Sequence, residues 1–230
     1  MGTIFAPASL GASRPLAGAN LILASGLAVD LALVLAVDCS SSADFADYKM
    51  QMDGIAAALR DPAVYEAITA GTHRQIALAL VQWSTARSQV TTQPWRILAS
   101  PQDLAVTAQD IANTQRQWLP GGTGLAIAVD YCTALQRALP ILAERRTIDV
   151  SGDGEDNEGG NASAARNRAL AQGISINGLP ILNGSTYLYS YYHDQVIGGP
   201  GAFLEPAVNM LAFRDAMLRK LLREIGAPVA

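Results

Sequence analysis

The sequence predicts an α/β fold: a doubly wound, mostly parallel sheet with helices on both faces and one antiparallel edge strand. Two observations carry this. From residue 30 onward, short continuous apolar runs alternate with longer amphipathic stretches, the pattern of strands buried on both sides by helices. One further run, Val90 to Leu98, contains Pro94. A proline has no ladder donor, so this run belongs on an edge, antiparallel to the strand before it.

The elements follow in order. LALVLAV, Leu31 to Val37, is the first strand, too short and too uniformly apolar for a surface helix. Phe45, Tyr48, Met52, Ile55 and Leu59 then recur at three- and four-residue steps and give a helix with one apolar stripe. Asp61-Pro62 restarts a shorter helix that stops by Gly71. IALALVQ, Ile76 to Gln82, is the second strand, and the Pro94 run is the third. Ser100-Pro101-Gln102-Asp103 combines an N-cap, a proline at the first helical position and an early carboxylate; Leu104, Ala108, Ile111 and Trp118 continue the helical period. Leu125, Val129, Cys132, Leu135 and Leu139 form another stripe. TIDVS, Thr147 to Ser151, and ISINGLPIL, Ile174 to Leu182, are strands, separated by a helix from Asn161 to Gln172 that ends at Gly173. A last helix runs from Met210 to Ile225, with Gly226 and Pro228 behind it.

Nothing in the 230 residues divides this pattern, so residues 30–230 are read as one domain. Half of the residues are hydrophobic and 16% are charged, against about 25% in an average domain. A net charge of -4 with only Lys49 and Lys220 as lysines argues against nucleic acid as a partner. The apolar stretch from Leu21 to Val37 is broken by Asp30 and is not a membrane span. Residues 1–29 are a separate segment. Leu21 to Ala28 resembles a signal-peptide core ending in Gly26-Leu27-Ala28, though only Arg14 supplies positive charge before it; a disordered tail is the alternative. A signal peptide would place the domain in the periplasm or outside the cell, a tail in the cytoplasm. Cys39 and Cys132 cannot form a paired-CxxC zinc site; two buried thiols are the favoured reading, a disulfide the other.

The chemistry gathers at strand ends. VDCSSS puts Asp38, Ser40 and Ser42 at the carboxyl end of the first strand, just before a helix. A carboxylate and two hydroxyls suit a hard cation that takes oxygen ligands, at about 2.0–2.1 Å for Mg2+. PGGTG presents Thr123 before another helix, and SGDG places Asp153 after a third strand. Each has a bland reading. Asp38, Ser40 and Ser42 could be the N-cap region of the first helix and Thr123 the cap of its own. Asp153 could be a solvated acidic turn, as Glu155, Asp156 and Glu158 are taken to be.

Asp-x-Ser-x-Ser, Gly-Gly-Thr and Ser-Gly-Asp-Gly together resemble the metal ion-dependent adhesion site of von Willebrand factor A and integrin inserted domains, over roughly residues 30 to 225. RRTIDVSGDG, INGLPI and VIGGPGAF resemble a bacterial branch of that superfamily, commonly exported and of unassigned function. The resemblance implies a Rossmann-type von Willebrand A-like domain that is not an enzyme. It would bind Mg2+, with Mn2+ or Ca2+ as alternatives, on Asp38, Ser40, Ser42, Thr123 and Asp153. The serines and the threonine would touch the metal or its waters directly, and the aspartates would often act through water. A protein partner's Asp or Glu carboxylate would complete the octahedron.

The rival is a Mg2+-dependent phosphohydrolase of haloacid dehalogenase type, which also carries an Asp at its first strand end and a late Gly-Asp-Gly loop. It needs a second Asp where this chain has Ser40, and a lysine for the phosphoryl group, whereas no lysine lies between Lys49 and Lys220. Asp149-x-Ser151-x-Asp153-Gly154 opens like an EF-hand loop, but Gly160 stands where the bidentate Glu belongs. His193-Asp194 follows a tyrosine-rich run, Tyr187 to Tyr192, read as a half-buried edge or loop; that run is also a candidate binding rim.

Overall fold

The computed structural model describes residues 27–41, 44–117 and 121–226. The signal-like segment through Gly26, Ser42, Trp118 and Pro120 lie outside the described residues.

Five strands form one sheet in the order β3-β2-β1-β4-β5. β1 (Ala28–Asp38) is central and pairs in parallel with β2 (Ile76–Trp83) and β4 (Leu142–Gly152); β5 (Ile174–Pro180) is parallel to β4. β3 (Gln89–Leu98) runs antiparallel to β2 on the edge, with irregular register between Leu78 and Val81. That break lies opposite Pro94, the position that can donate nothing to a ladder. The free side of β5 is covered by the returning chain, which bridges it at Gly198, Leu204 and Ala207.

Helices cover both faces. One face carries α1 (Phe45–Leu59), α2 (Pro62–Thr69), α3 (Pro101–Ala112) and α7 (Phe213–Gly226), packed through Met52, Ile55, Leu59, Ile111, Phe213 and Leu221. The other carries α4 (Leu125–Ala138), α5 (Ala162–Leu170) and a short α6 (Tyr187–Tyr191). Every residue of β1 from Val29 to Asp38 is buried, because its alternate side chains enter two different cores. Each buried Leu or Val there contributes roughly 1.5–3 kcal/mol. The chain builds β2 and β3 on one side of β1, then crosses to β4 and β5 on the other. The crevice between the carboxyl ends of β1 and β4 is therefore the switch point at which such sheets bind ligands.

Several boundaries differ from expectation, with physical causes. β1 begins at Ala28, so Ala28 and Val29 are strand residues. β4 begins at Leu142, before Thr147, because Glu144, Arg145 and Arg146 are spent on other elements. Arg145 donates to the carbonyls of Glu224 and Ile225 at the end of α7, and Arg146 to that of Gln136 in α4. Cations at helix carboxyl ends are stabilising, so these charges are compatible with a strand. α3 stops at Ala112, short of Trp118. The last helix opens with a 3-10 turn, Met210–Ala212. Phe45, expected in the apolar stripe of α1, is 74% exposed. The tyrosine-rich run is α6 followed by a π-helical turn, Tyr192–Val196, in which Leu188, Tyr192 and Val196 enter the second core. Both cysteines are buried and free.

Candidate metal centre

Three loops meet above the switch point, and backbone hydrogen bonds knit them. The Ser41 amide donates to the carbonyl of Gly121, joining the loop after β1 to the loop before α4. The Thr123 amide donates to Asn157 Oδ1 at 2.7 Å, and the Asn157 amide returns a bond to the Thr123 carbonyl, joining the loop before α4 to the loop after β4. Ser84, at the end of β2, holds the same glycine loop from below: it accepts from the Gly124 amide at 2.6 Å, and its hydroxyl donates to the Gly122 carbonyl.

Asp38 ends β1 with 1% of its surface exposed. Its Oδ1 accepts from the Ser40 amide at 2.7 Å, with the Ser40 hydroxyl as a second donor to the carboxylate. Its Oδ2 is buried with no hydrogen-bond partner among the described residues. Burial pushes the Asp38 carboxyl up to about 7; the Ser40 bonds and the Arg116 charge oppose this, and the Asp153 charge adds to it. Asp38 and Asp153 are thus near enough to act on each other as like charges. Thr123 is buried, and its Oγ1 lies against Gly154, the residue after Asp153. The structure thus brings together Asp38, Ser40, Thr123 and Asp153. Ser42, the remaining expected ligand, lies outside the described residues.

The bland readings lose their support here. α1 is capped by Asp44, whose side chain accepts from the Asp47 amide at 2.8 Å in a reciprocal capping box, so Asp38 and Ser40 are not its caps. α4 has Gly124 at its N-cap with no side-chain cap, so Thr123 does not cap it. Asp156 takes that role from a distance, accepting from the Ala126 amide at 2.8 Å as well as from the amides of Glu158 and Gly160. Asp156 is a structural anchor, which corrects its reading as a solvated turn residue.

Other residues of the site carried no local sequence signal. Arg116 donates to the carbonyls of Cys39 and Ser40 at 2.5 and 2.8 Å, fixing the loop after β1. The Tyr191 hydroxyl accepts from the Asp156 amide at 3.1 Å. The Tyr192 hydroxyl is fully buried near Asp38, and desolvation followed by the charges of Asp38 and Asp153 raises its pKa well above the usual tyrosine value. His193 pairs with the adjacent Asp194 in an exposed position away from these groups. No group of three or more His, Cys, Asp or Glu side chains placed to hold a metal ion occurs among the described residues. The candidate set escapes such a definition because hydroxyls make up most of it.

A five-stranded sheet of this order, with one antiparallel edge strand and an oxygen-rich crevice at the switch point, defines a von Willebrand factor A-type fold. Solved structures agree. Proximal thread matrix protein 1 from the mussel byssus superposes with a TM-score of 0.63 at 14% identity, over 85% of this chain and 48% of that one. The same protein with a zinc-occupied metal ion-dependent adhesion site gives 0.59 at 13%, over 86% of this chain and 48% of that one. A von Willebrand factor type A protein from Catenulispora acidiphila gives 0.58 at 16%, over 86% and 43%. The chain thus spans less than half the length of these proteins, and the likeness is one of fold. The chain itself belongs to the family described as "Protein of unknown function (DUF1194)", whose model matches residues 28–229. No curated protein is matched.

Proposed function

We propose that this chain is a divalent-cation-dependent protein-binding module serving adhesion or assembly, and not an enzyme, with Asp38, Ser40, Ser42, Thr123 and Asp153 as the cation's ligands. The observation that carries the reading is Asp38 Oδ2: a buried carboxylate oxygen without a hydrogen-bond partner among the described residues, beside a second carboxylate. Such an oxygen costs roughly 1–3 kcal/mol or more when nothing meets it. A hard cation is the group that two carboxylates and neutral hydroxyls fit. Arg116 is not a substitute, since its guanidinium donates to the backbone carbonyls of Cys39 and Ser40.

Bound there, a divalent cation supplies a Lewis-acidic position for an incoming carboxylate. Asp38 and Asp153 balance its charge, and the remaining ligands are neutral, so an Asp or Glu from a partner is electrostatically accepted. Mg2+ is the first choice, with Mn2+ and Ca2+ as alternatives. The zinc in the corresponding motif of the mussel protein supports a divalent cation in general. The haloacid dehalogenase reading is disfavoured by Ser40 at the place of the second acid. Lys220, which that chemistry would need, is buried against Asp149 and Glu224.

The test is calorimetric titration of metal-free protein with Mg2+ and Mn2+, beside an Asp38→Ala, Asp153→Ala double variant. Saturable binding to the parent and none to the folded variant is expected. A parent that binds neither cation, or a variant that binds as the parent does, overturns the reading.

A further inference from the structure

Asp38 Oδ2 has a counterpart. The Tyr192 hydroxyl is also fully buried and also lacks a hydrogen-bond partner among the described residues. A methyl group on Gly152 would stand 2.8 Å from Asp38 Oδ2 and 2.9 Å from this hydroxyl, so both oxygens converge on the space above one glycine. The ring reaches that point across the sheet. A methyl group on Gly178 of β5 would lie 2.9 Å from Tyr192 Cδ1. Bare backbone at Gly152 and Gly178 thus opens a slot over β4 and β5, and any side chain at either position would displace the tyrosine.

The backbone around Tyr192 is specialised to the same end. Tyr192 opens the π-helical turn, a rare geometry that recurs at functional sites. Its neighbour Tyr191 packs edge-on against it and bonds the acidic loop through the Asp156 amide. A phenol delivered this far into a core normally finds a partner for its hydroxyl. Phenylalanine would fill the slot equally well without a polar atom to satisfy.

We propose that Tyr192 is a positioning residue of the metal centre, its hydroxyl donating to the Asp38 carboxylate through one water shared with the bound cation. The inference rests on the cation reading above. The donor fixes the direction of the Asp38 lone pairs, so that Oδ1 stays on the Ser40 amide and Oδ2 is held toward the cation. Partners of metal-ligating carboxylates act in this way, and their loss weakens metal binding by about 10–100-fold.

The experiment compares the full chain with its Tyr192→Phe variant by Mn2+ titration, followed calorimetrically and by near-ultraviolet difference absorption, with thermal unfolding of both metal-free forms. Expected are a parent that binds Mn2+ with a tyrosine difference band, and a variant that binds about 10–100-fold more weakly and lacks the band. The metal-free variant should melt no lower than the metal-free parent, because a buried hydroxyl without a partner has been removed. A merely structural tyrosine would lower metal-free stability and leave no difference band in the parent, and that result overturns the proposal. Equal Mn2+ affinity in both proteins also overturns it while leaving the cation reading intact. A parent that fails to bind Mn2+ removes both. If the variant does not fold, the parent's difference spectrum decides alone: no tyrosine perturbation on Mn2+ binding refutes the proposal.

Discussion

Lys220 Nζ lies 2.9 Å from Asp149 Oδ1, and both side chains are buried at the interface between α7 and β4. The same ammonium sits 2.5 Å from Glu224 one turn further along α7, and Glu224 accepts from Asn177 Nδ2 at 3.0 Å. One cation thus serves two carboxylates in a region without water access, with the Phe203 ring 4.9 Å from the ammonium. Removing one partner of a buried pair leaves uncompensated charge, which costs about 3–5 kcal/mol. Lys220→Met should therefore destabilise the protein by that amount in urea unfolding. A loss below about 1 kcal/mol, the range of exposed pairs, would show that the cluster does not hold α7 to the sheet.

The cluster also sets a pH dependence. Burial pushes the Asp149 carboxyl up to about 7, Lys220 opposes this, and Glu224 adds to it. A folded-state pKa above the unfolded 3.8 means that the native protein binds the extra proton between these values. The contribution of Asp149 to stability therefore rises as pH falls from about 7 toward 4, and is lost as pH rises through 7. Asp149→Asn, which is uncharged throughout, should melt with a flatter pH profile over this window than the parent. Parallel profiles would assign the dependence to other groups.

Asp38 makes a third case. Its Oδ2 has no partner among the described residues, and the Asp153 charge opposes its ionisation. At pH 8 in chelator, Asp38→Asn should be about 1–2 kcal/mol more stable than the parent while losing cation binding. A variant less stable than the metal-free parent would mean that the carboxylate is satisfied in some other way.

The fold was legible because strands buried on two faces leave unbroken apolar runs, and LALVLAV and IALALVQ have no other explanation. Asp38, Ser40, Thr123 and Asp153 could be picked out as candidates because oxygen side chains gathered at a strand end or between glycines have little packing value. The start of β4 was hidden by Arg145 and Arg146, whose charges are absorbed by helix ends distant in sequence. Arg116, Tyr191 and Tyr192 reach the site only through the tertiary path of their segments. A tyrosine-rich run cannot disclose that one of its hydroxyls points at a strand end more than a hundred residues earlier. The Asp149 cluster was equally silent, since Lys220 meets it from the far end of the chain.

Asp156 ties the acidic loop to α4, and its removal tests how far the metal centre depends on that tie. Its Oδ2 accepts from the Ala126 amide at 2.8 Å, and its Oδ1 from the amides of Gly160 and Glu158 at 2.8 and 3.2 Å. Gly124 supplies α4 with no side-chain cap of its own, so Ala126 in the first turn depends on this distant carboxylate. Substituting a capping carboxylate by alanine costs about 0.5–2 kcal/mol, and the amides of the loop lose their acceptor at the same time. Asp156→Ala should unfold at lower urea by an amount in the upper part of that range, with faster hydrogen exchange at the Ala126 amide. Asp156→Asn, which keeps one carbonyl oxygen, should recover part of the loss. Because Asn157 in the same loop holds the Thr123 amide at 2.7 Å, Asp156→Ala should also weaken Mn2+ binding, although Asp156 is not among the proposed ligands. Unchanged Mn2+ affinity in a destabilised Asp156→Ala protein would mean that the loop can loosen at Asp156 without moving Thr123.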